Sequence, residues 1–111
     1  LIDNNSETLE LLHQQVDVLN TSNVQIVADD ALSWLRTGEP TPFDIIFLDP
    51  PFGQHYLEPS LDALQRGWLK HRSLVYLEAE NIPILHLETS GWLVARQGQT
   101  RQVKFALVKM N

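Results

Sequence analysis

The run Phe43-Asp44-Ile45-Ile46-Phe47-Leu48, followed at once by Asp49-Pro50-Pro51-Phe52, limits what this chain can fold into more than any other feature. A nearly continuous apolar run of this length reads as a strand buried on both faces, and therefore as part of a parallel sheet. The two prolines then stop the strand. Each fixes its own φ and restrains the residue before it, so Asp49 and Phe52 are held on a stiff turn. A turn already ordered before a ligand arrives suits a site that needs a fixed carboxylate and a fixed aromatic face. The same four residues also satisfy a plain strand-ending loop with a capping Asp.

Around this element the chain alternates strand and helix. Leu1-Ile2 reads as a strand stub ending at Asp3. Leu9, Leu12, Val16 and Leu19 then recur at helical spacing, with Asn4, Asn5 and Ser6 as available caps. Val24 to Ala28 is β-rich, Asp29-Asp30 leads into a short helix through Trp34-Leu35, and Gly38, Pro40 and Pro42 close that helix. Leu57, Leu61, Leu64 and Trp68 mark another helix, and Ser73 to Leu77 a strand ending at Glu78. Gly91–Gln97 and Gln102–Lys109 read as an antiparallel hairpin joined through Gly98-Gln99-Thr100. Alternating β and α units imply a mostly parallel sheet with helices on its faces, and such sheets take ligands beyond the carboxyl ends of their strands. Asp3, Asp29 or Asp30, Asp49 and Glu78 all sit at strand ends, which points to a crevice lined with acids; Glu80 beside Glu78 equally fits ordinary solvated charge.

At 111 residues, 43% hydrophobic and 20% charged, the chain reads as one globular domain. No run of 18 apolar residues is present, and Asp3 to Glu7 interrupt any signal-peptide core, so no membrane association is expected. The absence of cysteine excludes disulfides and thiolate metal sites and is compatible with a reducing, cytoplasmic setting. His13, His55, His71 and His86 lack metal-ligand spacing, so no metal is expected. Net charge is −6, with −8 up to Phe52 and +2 from Gly53 onward. That balance argues against a strong autonomous polyanion binder, while Arg96, Arg101, Lys104 and Lys109 leave room for phosphate contact or simply keep a strand edge soluble. His55 and Tyr56 fit either a surface loop or the lining of a target pocket; Trp34, Trp68 and Trp92 fit the core.

Asp-Pro-Pro-Phe after a buried strand resembles the fourth motif of S-adenosylmethionine-dependent methyltransferases that act on exocyclic amino groups. Leu1-Ile2-Asp3, Val27 to Leu32, Asp44 to Phe52, Gly67-Trp68-Leu69 and Leu74 to Glu78 follow in the order and spacing of the RsmD-type 16S ribosomal RNA guanine-N2 methyltransferases. The resemblance covers nearly the whole chain. It implies an α/β, Rossmann-like class I fold, mostly parallel with a C-terminal antiparallel hairpin. It implies S-adenosyl-L-methionine as cofactor, and 16S ribosomal RNA or a small-subunit assembly intermediate as partner. By the same resemblance Asp3 takes the cofactor ribose hydroxyls, Asp30 the adenine amino group (Asp29 competes one residue away), and the Ala31 amide a ring nitrogen. Asp49 and the Pro50 carbonyl receive the hydrogens of the target amine, while Pro51 and Phe52 line the base, which Phe52 stacks upon. An adenine-N6 DNA methyltransferase shares the Asp-Pro-Pro-Phe chemistry, and a non-catalytic α/β module needs the turn only to reverse the chain.

The family places a first strand and a Gly-rich loop before the equivalent of Leu1. The glycines here, Gly38, Gly53, Gly67, Gly91 and Gly98, form no such array. Residues 1–111 are therefore expected to be a single partial methyltransferase domain with half of the cofactor site. Such a domain is expected to bind S-adenosyl-L-methionine weakly or not at all; micromolar affinity of these 111 residues by calorimetry would contradict this.

Overall fold

A computed structural model describes residues 1–51 and 55–110. The chain divides into two compact units, Leu1–Gly38 and Glu39–Asn111. The first holds β1 (Ile2–Asp3), α1 (Ser6–Leu19), β2 (Val27–Ala28) and α2 (Ala31–Thr37). Strands β1 and β2 pair in parallel, Ile2 with Val27 and Asp3 with Ala28. The β-rich run from Val24 is thus trimmed to two residues, because a ladder extends only as far as its partner and β1 is two residues long. Of the candidate caps, Asn5 is the one used: its side chain accepts the Thr8 amide at 3.0 Å. The helix ends at Asn20, whose left-handed φ of 51° suits an Asn at that position. Leu9, Leu12 and Val16 are half-buried, but Leu19, at the last position of the same stripe, is exposed.

The second unit holds β3 (Phe43–Leu48), α3 (Leu57–Leu64), β4 (Leu69–Ala79), α4 (Ile84–Thr89), β5 (Trp92–Gln99) and β6 (Lys104–Met110). Its sheet has the order β3-β4-β6-β5, with β3 and β4 parallel and the other two pairings antiparallel. The expected hairpin is present, but Gly98 and Gln99 belong to its first strand. The reversal lies beyond them and is closed by the Thr100 amide donating to the Val103 carbonyl at 2.8 Å. Gly98 faces the Phe105 ring so closely that an added Cβ would lie 2.5 Å from it, so glycine here makes room for an aromatic residue rather than for a turn. The helix read as reaching Trp68 ends at Leu64. Gly67, at φ 125°, redirects the chain, and Trp68 enters the core beside β3, its carbonyl accepting the Phe43 amide at 2.9 Å. The short helix α4 carries too little periodicity to be visible in the sequence.

Burial alternates along β4: Val75, Leu77 and Ala79 are buried, while Leu74, Tyr76 and Glu78 are half-exposed. The covered face meets Leu57, Leu61 and Leu64 of α3, Trp68, Leu87 of α4, Trp92, Ala106 and Val108 in the core. Strand β3 departs from the expectation of burial on both faces. Ile46 and Leu48, level with Val75 and Leu77, are half-buried, but Phe43, Ile45 and Phe47 are 43%, 59% and 76% exposed. The unit covers one face of its sheet, so only alternate residues of this apolar run are shielded. Across the other face runs an aromatic row, Phe47 to Tyr76 at 5.7 Å between ring centroids and Tyr76 to Phe105 at 6.4 Å.

The one-sided core makes a clear prediction for urea unfolding. Leu77→Ala, at a side chain with no solvent exposure, should cost about 2–5 kcal/mol. Ile45→Ala, on the open face, should stay within about 0.5 kcal/mol.

Candidate functional site

In the first unit the carboxyl ends of β1 and β2 bring three acids together. Asp3 is level with Ala28, and the Asp29 amide donates to the Asp3 carbonyl at 3.1 Å. One Asp3 oxygen accepts the Asn5 amide at 2.8 Å, which fixes the side chain over the strand end and leaves its second oxygen for another donor. Asp30 caps α2 by accepting the Ser33 amide at 2.9 Å. Asp29 turns one oxygen onto the Asp30 amide at 2.7 Å. Ala31 opens α2, so its amide is among those that helix geometry leaves without an intrahelical acceptor. These groups form a set of acceptors and one donor of the kind a vicinal diol and an aminated heterocycle require, so the residues present fit the adenosine part of a nucleoside cofactor.

In the second unit, the parallel register pairs Leu48 with Leu77, and one step further sets Asp49 beside Glu78 at the carboxyl ends of β3 and β4. Both fall on the open face of the sheet, in line with Phe47 and Tyr76. The Tyr76 hydroxyl donates to Glu78 Oε1 at 3.0 Å. Asp49 is exposed, yet the chain around its carboxyl removes enough water to push its pKa above the usual 3.8, and the Glu78 charge pushes it the same way. The hydrogen bond to Glu78 raises the pKa of Tyr76, helped by partial desolvation and by the negative charges of Glu78 and Asp49. Tyr76 therefore remains a hydrogen-bond donor at neutral pH.

Pro50 is half-buried and Pro51 exposed; Phe52 lies outside the described residues. Beyond them, His55 is exposed on a left-handed backbone with φ 54°, and Tyr56, half-buried, precedes α3. Glu78 is no ordinary solvated charge, since it holds Tyr76 and perturbs Asp49. Tyr76 itself escaped the sequence reading. Its only signal was position, two residues before a strand-end acid and hence on the same face. Among the described residues, no three His, Cys, Asp or Glu are placed to hold a metal ion, and no helix is long and apolar enough to cross a membrane.

A family model described as Conserved hypothetical protein 95 matches residues 1–109. The chain belongs to this family, the RsmD family. A relative from Escherichia coli K12, Ribosomal RNA small subunit methyltransferase D, is 31% identical over 108 residues, covering 96% of this chain and 54% of that protein. The solved structure of the Escherichia coli protein yhhF superposes with a TM-score of 0.84 at 28% identity, covering 99% of this chain and 60% of that one. A precorrin-6y C5,15-methyltransferase from Geobacter metallireducens, at TM-score 0.68 and 19% identity over 96% of this chain and 63% of that one, shares the fold alone. The fold of this RsmD-family chain is accordingly that of a Rossmann-like class I methyltransferase fragment. The chain spans about half the length of the curated relatives it matches.

The raised pKa of Asp49 has a stability consequence with a definite sign. The native state holds the Asp49 proton more tightly than the unfolded chain does, so ionising it costs native stability at neutral pH and nothing below both pKa values. Asp49→Asn should therefore raise Tm at pH 7. The gain should stay below about 1 kcal/mol after solvent screening and vanish as pH falls below 3.8. Thermal scans at pH 3 and pH 7 check this; an equal gain at both would remove the electrostatic cause.

Proposed function

We propose that this chain is the catalytic part of a methyltransferase that transfers a methyl group from S-adenosyl-L-methionine to the exocyclic N2 amine of a guanine in 16S ribosomal RNA. The observation that carries the reading is the carboxylate pair at neighbouring strand ends, Asp49 before the two prolines that follow β3 and Glu78 in β4, in a chain whose family relatives are named ribosomal RNA small subunit methyltransferases. The small ribosomal subunit or an intermediate in its assembly is the partner this implies, in the cytoplasm where such particles form.

S-adenosyl-L-methionine supplies an electrophilic methyl group on a sulfonium. Asp3, Asp30 and the Ala31 amide are the residues that would hold its adenosine part. The chemical problem left to the protein is the amine, whose lone pair is delocalised into the base ring. Asp49 and the Pro50 carbonyl accept its two N–H bonds, which draws the nitrogen out of conjugation and orients the lone pair for in-line attack. Phe52 stacks on the extruded base, an interaction worth about 1–3 kcal/mol per base. On taking the methyl group the amine nitrogen would become cationic, and the charges of Asp49 and Glu78 would stabilise it. The upward push on Asp49 also makes it a better acceptor for the proton that then leaves nitrogen. Tyr76, donating to Glu78, restrains the second carboxylate.

Transfer of labelled methyl into 16S ribosomal RNA by the complete gene product tests this. Asp49→Ala should lower single-turnover transfer by at least about 100-fold with an unchanged melting temperature or a slightly raised one. Retained transfer would sink the role of Asp49, and label in DNA adenine rather than RNA guanine would replace the substrate.

A further inference from the structure

The strands β3 and β4 pair Phe43 with Leu69 and then Ile45 with Leu74, so five steps along β4 face two along β3. The surplus residues arch out as a bulge over Lys70-His71-Arg72-Ser73, and bulges of this kind re-aim side chains. Arg72 lies within it at φ 66°, a left-handed conformation that costs any residue with a Cβ energy and clusters at functional positions. The bulge walls an open cleft of about 320 Å³ whose other side is Lys109, Leu93 and Met110 from β6 and β5. In a chain of net charge −6 with eight Lys and Arg, three of the eight gather here with a histidine. Lys70 pairs with Asp44 at 3.0 Å, both side chains exposed. Among the described residues, Arg72 and Lys109 have no carboxylate within 4 Å.

The cleft lies at the amino end of β4, and Asp49 and Glu78 lie at the opposite end of the strands. Ser73 to Glu78 is about 16 Å of extended chain. An anion repelled by that carboxylate pair meets positive charge here. A guanidinium offers a planar fork to phosphate oxygens and a lysine a point charge, while Leu93 and Met110, both more than a third exposed, offer apolar surface to a sugar or base. A small buried anion would need an enclosed pocket. Cations spread along an open cleft with an apolar wall fit successive phosphates of a chain.

We propose that the bulge cleft binds the phosphodiester backbone of RNA at a second contact, remote from the reacting base. This rests on the ribosomal RNA reading above, and its test needs no methyl transfer. The probe is a fluorescein-labelled 20-nucleotide single-stranded RNA, titrated by anisotropy into the full chain at several KCl concentrations. Arg72→Gly removes the guanidinium and suits the left-handed backbone, and Lys109→Gln keeps the strand polar, so both should melt at or above the wild-type temperature. Each should flatten the slope of log affinity against log salt by about 0.7, and together they should weaken binding at least about tenfold at 50 mM KCl. Variants with wild-type slope and affinity, or a wild type that binds no RNA at low salt, would overturn the proposal. So would complete displacement of RNA by about 1 mM inorganic phosphate, since the cleft would then be a free-phosphate pocket. A failure of the catalytic reading registers in methyl transfer and a failure of this one in the salt slope.

Discussion

The parallel pairing of β3 with β4 is the constraint on which the second unit depends. Neither strand chooses its register alone, because each carries a run of consecutive apolar residues, Ile45 to Leu48 in β3 and Leu74 to Leu77 in β4. Packing against α3 and Trp68 makes the choice, by burying Val75 and Leu77 completely and drawing Ile46 and Leu48 level with them. A slip of one residue would turn the covered face outward. The same register sets Asp49 beside Glu78, so the geometry of the carboxylate pair is a by-product of core packing several residues away.

Once that register is set, the electrostatics follow. Two carboxylates at neighbouring strand ends repel each other, and the Glu78 charge adds to desolvation in making Asp49 harder to ionise. The Tyr76 hydroxyl donates to Glu78 beside it, and the pKa of Asp49 rises. In the proposed reaction, an acceptor more basic than an ordinary aspartate suits an amine that must first be held by its hydrogens and then relieved of one. At the other end of the same strands, the bulge gathers the opposite charge. The sheet is therefore polar along its strands, acidic where they end and basic where β4 begins, even though total charge is negative.

The strand–helix alternation, the hairpin, the Asn5 and Asp30 caps and the strand-end positions of Asp3, Asp29, Asp30 and Asp49 were legible because each rests on neighbouring residues. Caps, proline turns and apolar periods are local signals. The ends of β2 and α3 were not legible, since β2 stops where its partner stops and α3 stops where Gly67 turns Trp68 into the core. The bulge at Lys70–Ser73 was invisible for the same reason: a surplus residue exists only relative to a partner strand. The apolar run of β3 overstated its burial, because hydrophobicity records what a strand tolerates and not how many faces its neighbours cover.

By itself, the sequence determined that Asp49 would be a carboxylate on a rigid turn after an apolar strand, since two prolines restrict the backbone whatever surrounds them. It also determined that the acids of the first unit would follow strands and precede helices. Only the tertiary structure decided which charges would feel each other. It joined Glu78 and Tyr76 to Asp49, and Lys109 to Arg72 across strands nearly forty residues apart in the chain. Electrostatic interactions act through space and depend on how water is excluded, and both are settled by packing.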